Sequence, residues 1–385
     1  MKKILALFLA FISVLTICSC SNEKLKIKGI GLTHEEEFGG IYIKKTIEEF
    51  NNVGYEYGDS VNVYFSNGKK LKDIPYYNGY YVDANNKLLV AYPGYDYIKA
   101  AINFGDDLWE LLDIKESDTA TITLNKKAKY KEIQIASDIT YYDDRTLYET
   151  DEIFSNFREI KVGNIKSNIL YRSASPCDNT RKRASTTDKL MERENIKFIM
   201  NLADTDAKIE KYIAKDDFNS PYFLSLYQAK KCFCTPLVEE KNLLMSSDSI
   251  IPLAMNMNYR SEDFAKKVAL GFKSTLKSEG AILIHCQEGK DRTGFVCIVI
   301  EALMGATYKE IVDDYMITYE NYYGIGLNDS RYETIKDRNV DSMLDFIVGG
   351  KDYKTVNLVN YAKDYLKFGG MTDTEINQLI EMLSK

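Results

Sequence analysis

The sequence predicts an α/β domain with a largely parallel central sheet flanked by helices, preceded by a smaller, mainly-β domain. Three observations predict it. Before about residue 150, apolar and polar residues alternate with period two between turn residues, the mark of half-buried strands. From about 153 onward, short apolar runs take turns with stretches of helical spacing, as in a parallel sheet whose crossovers are helices. Within that second region, 281–294 reads as a buried strand, a tight loop and the first turn of a helix; in open α/β sheets, ligands sit at the carboxyl ends of strands.

At the amino terminus, Lys2 and Lys3 precede an apolar run, 4–17, followed by Cys18, Ser19 and Cys20. The run is too short to span a bilayer and fits a signal-peptide core. Ile17-Cys18-Ser19-Cys20 resembles a bacterial lipobox. Small Ser19 before Cys20 favours Cys20 as the lipidated residue, since bulky Ile17 precedes Cys18. The alternative is ordinary secretion with cleavage nearby. Both readings predict export, and a lipid on Cys20 would anchor the chain to the membrane, facing outward. Residues 1–19 are then a leader and 20–32 a polar tether.

A chain of 385 residues can hold two domains. Its net charge of −7 offers no overall basic surface, so nucleic acid is not an expected partner. The seven cysteines, Cys18, Cys20, Cys177, Cys232, Cys234, Cys286 and Cys297, show no framework spacing, which argues against a disulfide scaffold. Only His34 and His285 could serve a His-rich metal site or a Ser-His-Asp arrangement, so no metal or cofactor is expected. The pairs Asp106-Asp107 and Asp313-Asp314 read as solvated surface.

In the β domain, 33–150, Val61, Val63 and Phe65 alternate with Asn62 and Tyr64, and Ser66-Asn67-Gly68 supplies a hairpin turn. Further strands are expected at 75–82, 88–92, 120–124 and 133–135, and a short helix at 97–102. Nothing here carries chemistry. The second domain, 153–385, begins after an acidic connection at 143–152. It predicts helices at 187–194 and 207–214 and strands at 196–202 and 232–238. Ser261 caps a helix whose Phe264, Val268, Phe272 and Leu276 share one face. Strand 281–284 follows, and Thr307-x-x-Glu310 and Thr372-x-x-Glu375 are capping boxes for later helices.

Between that strand and the apolar run 295–304 lies the chemistry. A phosphate in this loop would meet successive backbone N–H groups at the positive end of a helix dipole. Gly289 and Gly294 let the backbone come close. Arg292 can grip two phosphate oxygens with its planar fork. The same field favours the thiolate of Cys286, which is the nucleophilic form.

His285-Cys286-x-x-Gly289-Lys290-Asp291-Arg292-Thr293-Gly294 resembles the signature loop of the cysteine-dependent protein tyrosine phosphatase superfamily, in the branch of bacterial tyrosine and lipid phosphatases. Asn156-Phe157-Arg158 and 169–174 resemble the same branch. The resemblance covers about 153–325 and leaves the helices after 335 as a family-specific C-terminal addition. It implies an α/β phosphatase domain working through a phosphocysteine, without a cofactor. Cys286 would be the nucleophile. Gln287, Glu288, Gly289, Lys290, Asp291 and Arg292 would surround the phosphate. His285 would orient the loop and favour the thiolate, and Thr293 would hydrogen-bond the departing sulfur.

The general acid stays open between Asp291, inside the loop, Asp204, past the end of strand 196–202, and the Glu239/Glu240 pair, which stands where tyrosine phosphatases carry an Asp. The expected substrates are phosphotyrosine-like aryl phosphates on protein or peptide, with phosphoinositides or inositol phosphates as the alternative. Lys290 adds positive charge at the mouth and Glu288 opposes it, while Lys230-Lys231 reads as a solvated run. Two rivals are a different cysteine-loop enzyme, such as a sulfurtransferase or arsenate reductase, and a non-catalytic phosphate-binding module. The first has no use for Arg292 and Thr293 together, and Cys297, inside an apolar helix, reads as core rather than as a resolving thiol.

Overall fold

Period-two alternation shapes the first of two compact units, Met1–Asp138 and Ile139–Lys385, in the computed structural model, which describes residues 25–36, 39–83, 85–103, 106–229, 249–278 and 280–384. Seven strands close into a barrel: β1 Lys26–His34, β2 Ile41–Ile43, β3 Ser60–Phe65, β4 Lys70–Tyr77, β5 Lys87–Val90, β6 Ile98–Ile102 and β7 Thr119–Lys126, in the order β1-β2-β6-β5-β4-β3-β7. Leu32, Ile41, Val61, Val63, Leu89, Ile98 and Ile122 fill the interior. The hairpin at 66–68 joins antiparallel β3 and β4, with Gly68 at φ +87°, where a side chain would be strained.

Three expectations for this unit fail, each through tertiary pairing. Residues 97–102 do not form a helix; they supply β6, bonded on both sides by β2 and β5. Residues 133–135 lie in a helix, Lys131–Ser137. The barrel has closed through β1 and β7 before this segment, so no free edge remains for it to extend. Strand β1 starts at Lys26, within the stretch assigned to the tether, because Ile30 and Leu32 are barrel core.

The second unit holds a five-stranded sheet of β8 Arg158–Glu159, β9 Leu170–Ser173, β10 Ile196–Asn201, β11 Ile250–Pro252 and β12 Ala281–His285, ordered β11-β10-β12-β9-β8. β11, β10, β12 and β9 run parallel, and β8 is an antiparallel edge. Register sets Ile199, Leu283 and Tyr171 side by side on one face, in a core with Leu190, Met191, Ile209 and Phe223. Met200 and Ile284 belong to the opposite face by alternation. There the helix Glu262–Thr275 comes so near that a Cβ on Gly271 would meet the Met200 side chain.

The helix Asp291–Leu303 is buried along almost its whole length, hence apolar all round. Phe295 meets Phe264 edge-on at 5.5 Å and stacks on Tyr259 at 4.8 Å. Ser261, Thr307 and Thr372 cap their helices as expected, the last two through complete capping boxes. The strand expected at 232–238 lies outside the described residues. Sequence periodicity missed β11, which is only three residues long. Among the described residues, no helix is long and apolar enough to cross a membrane.

Candidate active site

β12 ends at His285, opposite Asn201 of β10 and Ser173 of β9. Loop 286–290 follows, and the helix Asp291–Leu303 starts directly from it. Gly289 turns the chain at φ +66°, with its α-carbon so near the end of β9 that a Cβ would lie 2.2 Å from the Ser173 carbonyl oxygen. Around that turn the loop's carbonyls face the scaffold. Gln287 O accepts from Ser175 N at 3.1 Å. Glu288 O accepts from Tyr322 OH at 2.8 Å, and Gly289 O from Arg172 Nη2 at 3.0 Å and Asn156 Nδ2 at 3.2 Å. The amides of 287–292 donate to no acceptor among the described residues. Carbonyls held back and amides left over, at a helix N-terminus, make a surface suited to an oxyanion.

The scaffold beneath the loop is charged. Arg172, 1% exposed, also donates from Nη1 to Asp314 Oδ2 at 2.6 Å, and Arg158 reaches Asp314 Oδ1 at 2.8 Å. Asp314, expected at the solvated surface, is buried instead, as the shared counter-ion of two arginines. Two adjacent Asp codes look like surface when the arginines that bury one of them come from distant strands. Burial works to raise the pKa of Asp314, but Arg158 and Arg172 hold the carboxyl below the usual carboxylate range. Burial, reinforced by Asp314, pushes the neighbouring Glu301 carboxyl well above it. Burial also pushes the thiol of Cys297 up, which suits an inert core position.

Cys286 heads the loop and is buried. His285 Nδ1 lies 3.0 Å from the Cys286 carbonyl oxygen. Carbonyls only accept, so Nδ1 carries the proton, and burial pushes the imidazole pKa down to about 4. The ring is therefore a neutral donor that fixes the backbone at Cys286. Arg292 donates from Nη1 to Met255 O at 3.0 Å. Its buried Nε, His285 Nε2 and the buried Thr293 Oγ1 have no partner among the described residues.

The candidate acids differ in surroundings. Asp291 opens the helix with its side chain 37% exposed, 3.9 Å from Lys290. Asp204 is buried, paired with Lys208 at 2.8 Å and held by Asn201 Nδ2 at 3.1 Å. Glu239, Glu240, the Lys230-Lys231 pair and Cys20 lie outside the described residues. Of the remaining loop residues, Gln287 is exposed, while Glu288 and Lys290 are half-buried and 3.5 Å apart.

One wall of the site was not legible in sequence. Tyr141, just before the acidic connection, donates to Glu288 Oε1 and stacks on Tyr322 at 5.1 Å. The guanidinium groups of Arg181 and Arg183 lie 5.0 Å and 4.9 Å from the centre of the Tyr141 ring, within cation–π range. Arg183 is in turn bonded to Asp143 at 2.6 Å. No motif links these residues; only Tyr and Arg density near 141–148 and 181–183 hints at them.

A search of curated proteins found no match. Among solved structures, the chain is similar to an uncharacterized conserved protein from Thermotoga maritima at 21% identity, over 26% of this chain and 36% of that one, with a TM-score of 0.22. The chain thus spans about a third of that protein, a partial likeness that fixes neither fold nor function. The family model described as "Tyrosine phosphatase family" matches residues 152–384. That match takes in the whole sheet, the loop after β12 and the helices after 335. Running over more than half of the chain and over every residue of the loop, it shows that the chain belongs to the tyrosine phosphatase family.

Proposed function

We propose that the chain hydrolyses phosphomonoesters through a phosphocysteine on Cys286, with phosphotyrosine-like aryl phosphates as its substrate class. The observation that carries this reading is the loop itself. Its carbonyls are tied back by Ser175, Tyr322, Arg172 and Asn156, its amides have no acceptor among the described residues, and Cys286 stands at its head. Preorganised donors of this kind stabilise the charge that spreads over the equatorial oxygens in phosphoryl transfer.

In the first step the Cys286 thiolate attacks phosphorus, the bond to the ester oxygen breaks, and Asp291 gives that oxygen a proton. Arg292 and the loop amides hold the three remaining oxygens. In the second step Asp291 takes a proton from water as the water attacks phosphorus, and the S–P bond breaks to release phosphate. Thr293, whose hydroxyl is buried without a partner among the described residues, donates to the sulfur as it leaves. Asp291 is preferred to Asp204 because the Asp204 oxygens are engaged by Lys208 and Asn201. Glu239 and Glu240 remain the alternative acids. Export and lipidation at Cys20 belong to the same proposal, resting on the 1–20 sequence alone.

The test is phosphate release in EDTA by wild type and Cys286→Ser, offered a phosphotyrosine peptide, a phosphoinositide and an inositol polyphosphate. The proposal expects release from the peptide that survives EDTA and vanishes in Cys286→Ser. Binding of phosphate esters without any release would move the reading to a phosphate-binding module.

A further inference from the structure

Resting on the reading of 286–292 as the phosphate site, we propose that Glu288 restricts the site to substrates carrying a single phosphate group. Among the described residues, the loop and its wall carry four cationic side chains, Arg181, Arg183, Lys290 and Arg292. Three of them already face carboxylates. Glu288 lies 3.5 Å from Lys290 and 4.0 Å from Arg181. Asp291 stands 3.9 Å from Lys290, and Asp143 answers Arg181 at 3.4 Å and Arg183 at 2.6 Å. Only Arg292 meets no carboxylate among the described residues; its bond goes to the neutral carbonyl of Met255.

One phosphate is fully served by Arg292 and the loop amides. A second phosphate on the same molecule needs a cation of its own beside the loop. It meets the Glu288 carboxylate instead. That carboxylate is 21% exposed, and Tyr141 fixes it in place by a hydrogen bond from a ring stacked on Tyr322. Turning Glu288 aside breaks that bond and separates it from Lys290. Like charges in a half-buried setting repel over this range with little screening, so Glu288 discriminates by repulsion rather than by added affinity.

The experiment is isothermal titration calorimetry on the full chain carrying Cys286→Ser, alone and combined with Glu288→Gln or with Tyr141→Phe, using phenyl phosphate and inositol hexakisphosphate as probes. Each protein's unfolding midpoint establishes that it is folded, and Tyr141→Phe carries the test if Glu288→Gln does not fold. The proposal expects Glu288→Gln to raise the ratio of hexakisphosphate to phenyl phosphate affinity about tenfold, and Tyr141→Phe to move it in the same direction by less. An unchanged ratio in both variants overturns it, as does a stronger preference for hexakisphosphate before any change at Glu288. Binding needs no turnover, so failure of the cysteine mechanism would show in the phosphate-release assay and leave this result intact.

Discussion

Arg172 holds Asp314 and Gly289 at once, one guanidinium nitrogen 2.6 Å from the carboxylate and the other 3.0 Å from the loop carbonyl. The loop's conformation is thereby fixed by a side chain from β9 that is itself fixed by a helix, Tyr308–Tyr323. Removing Asp314 leaves Arg158 and Arg172 buried without their counter-ion. Asp314→Asn is expected to cost about 3–5 kcal/mol of unfolding free energy, read by urea titration, and to lower phosphate release even where the protein is still folded. Full activity at native stability would show that the loop does not depend on this network.

The proton donor can be identified through the leaving group. Asp291→Asn should slow hydrolysis of phenyl phosphate roughly 100-fold and that of nitrophenyl phosphate, whose leaving oxygen needs less help, far less. Asp204→Asn should lower both rates by a similar factor, through the loss of its pairing with Lys208 and Asn201. The reverse pattern would assign the acid to Asp204.

His285 ties stability to pH. Its pKa is pushed down to about 4 in the fold, against an ordinary value of 6.5. Between these values the unfolded chain binds a proton that the folded chain refuses, so stability is full above pH 6.5 and falls as pH drops toward 4. Denaturant midpoints at pH 7 and pH 5 should differ more in wild type than in His285→Gln. Parallel losses in the two proteins would mean that other groups control the acid limb.

Gly289 is required by space as much as by its backbone angle. A methyl group there faces the Ser173 carbonyl oxygen at 2.2 Å and forces a positive φ on a residue that resists it. Gly289→Ala should destabilise the fold by about 1–3 kcal/mol and reduce kcat/KM by at least about tenfold through displacement of the loop. Unchanged kinetics would place the loop's precise position outside the mechanism.

The strand-loop-helix at 281–294 could be read in sequence because its signals are local: an apolar run, glycine at the turn, and a Cys–Arg spacing that chemistry restricts. Helix starts at Ser261, Thr307 and Thr372 were legible for the same reason. What could not be read depends on distant partners. Asp314 looks like its neighbour Asp313 until Arg158 and Arg172 arrive from β8 and β9. β6 looks helical until β2 and β5 bond it from both sides. Tyr141 belongs to a polar connection and reaches the site only by packing on Tyr322.

The central claim is a covalent bond between Cys286 and phosphorus, and acid-quenched peptide mass spectrometry tests it most directly. Protein mixed with nitrophenyl phosphate, quenched within the first turnover and digested, should carry one phosphoryl group on the peptide containing Cys286, absent in Cys286→Ser. Continued phosphate release by Cys286→Ser, with no phosphoryl group on the wild-type peptide, would contradict the account.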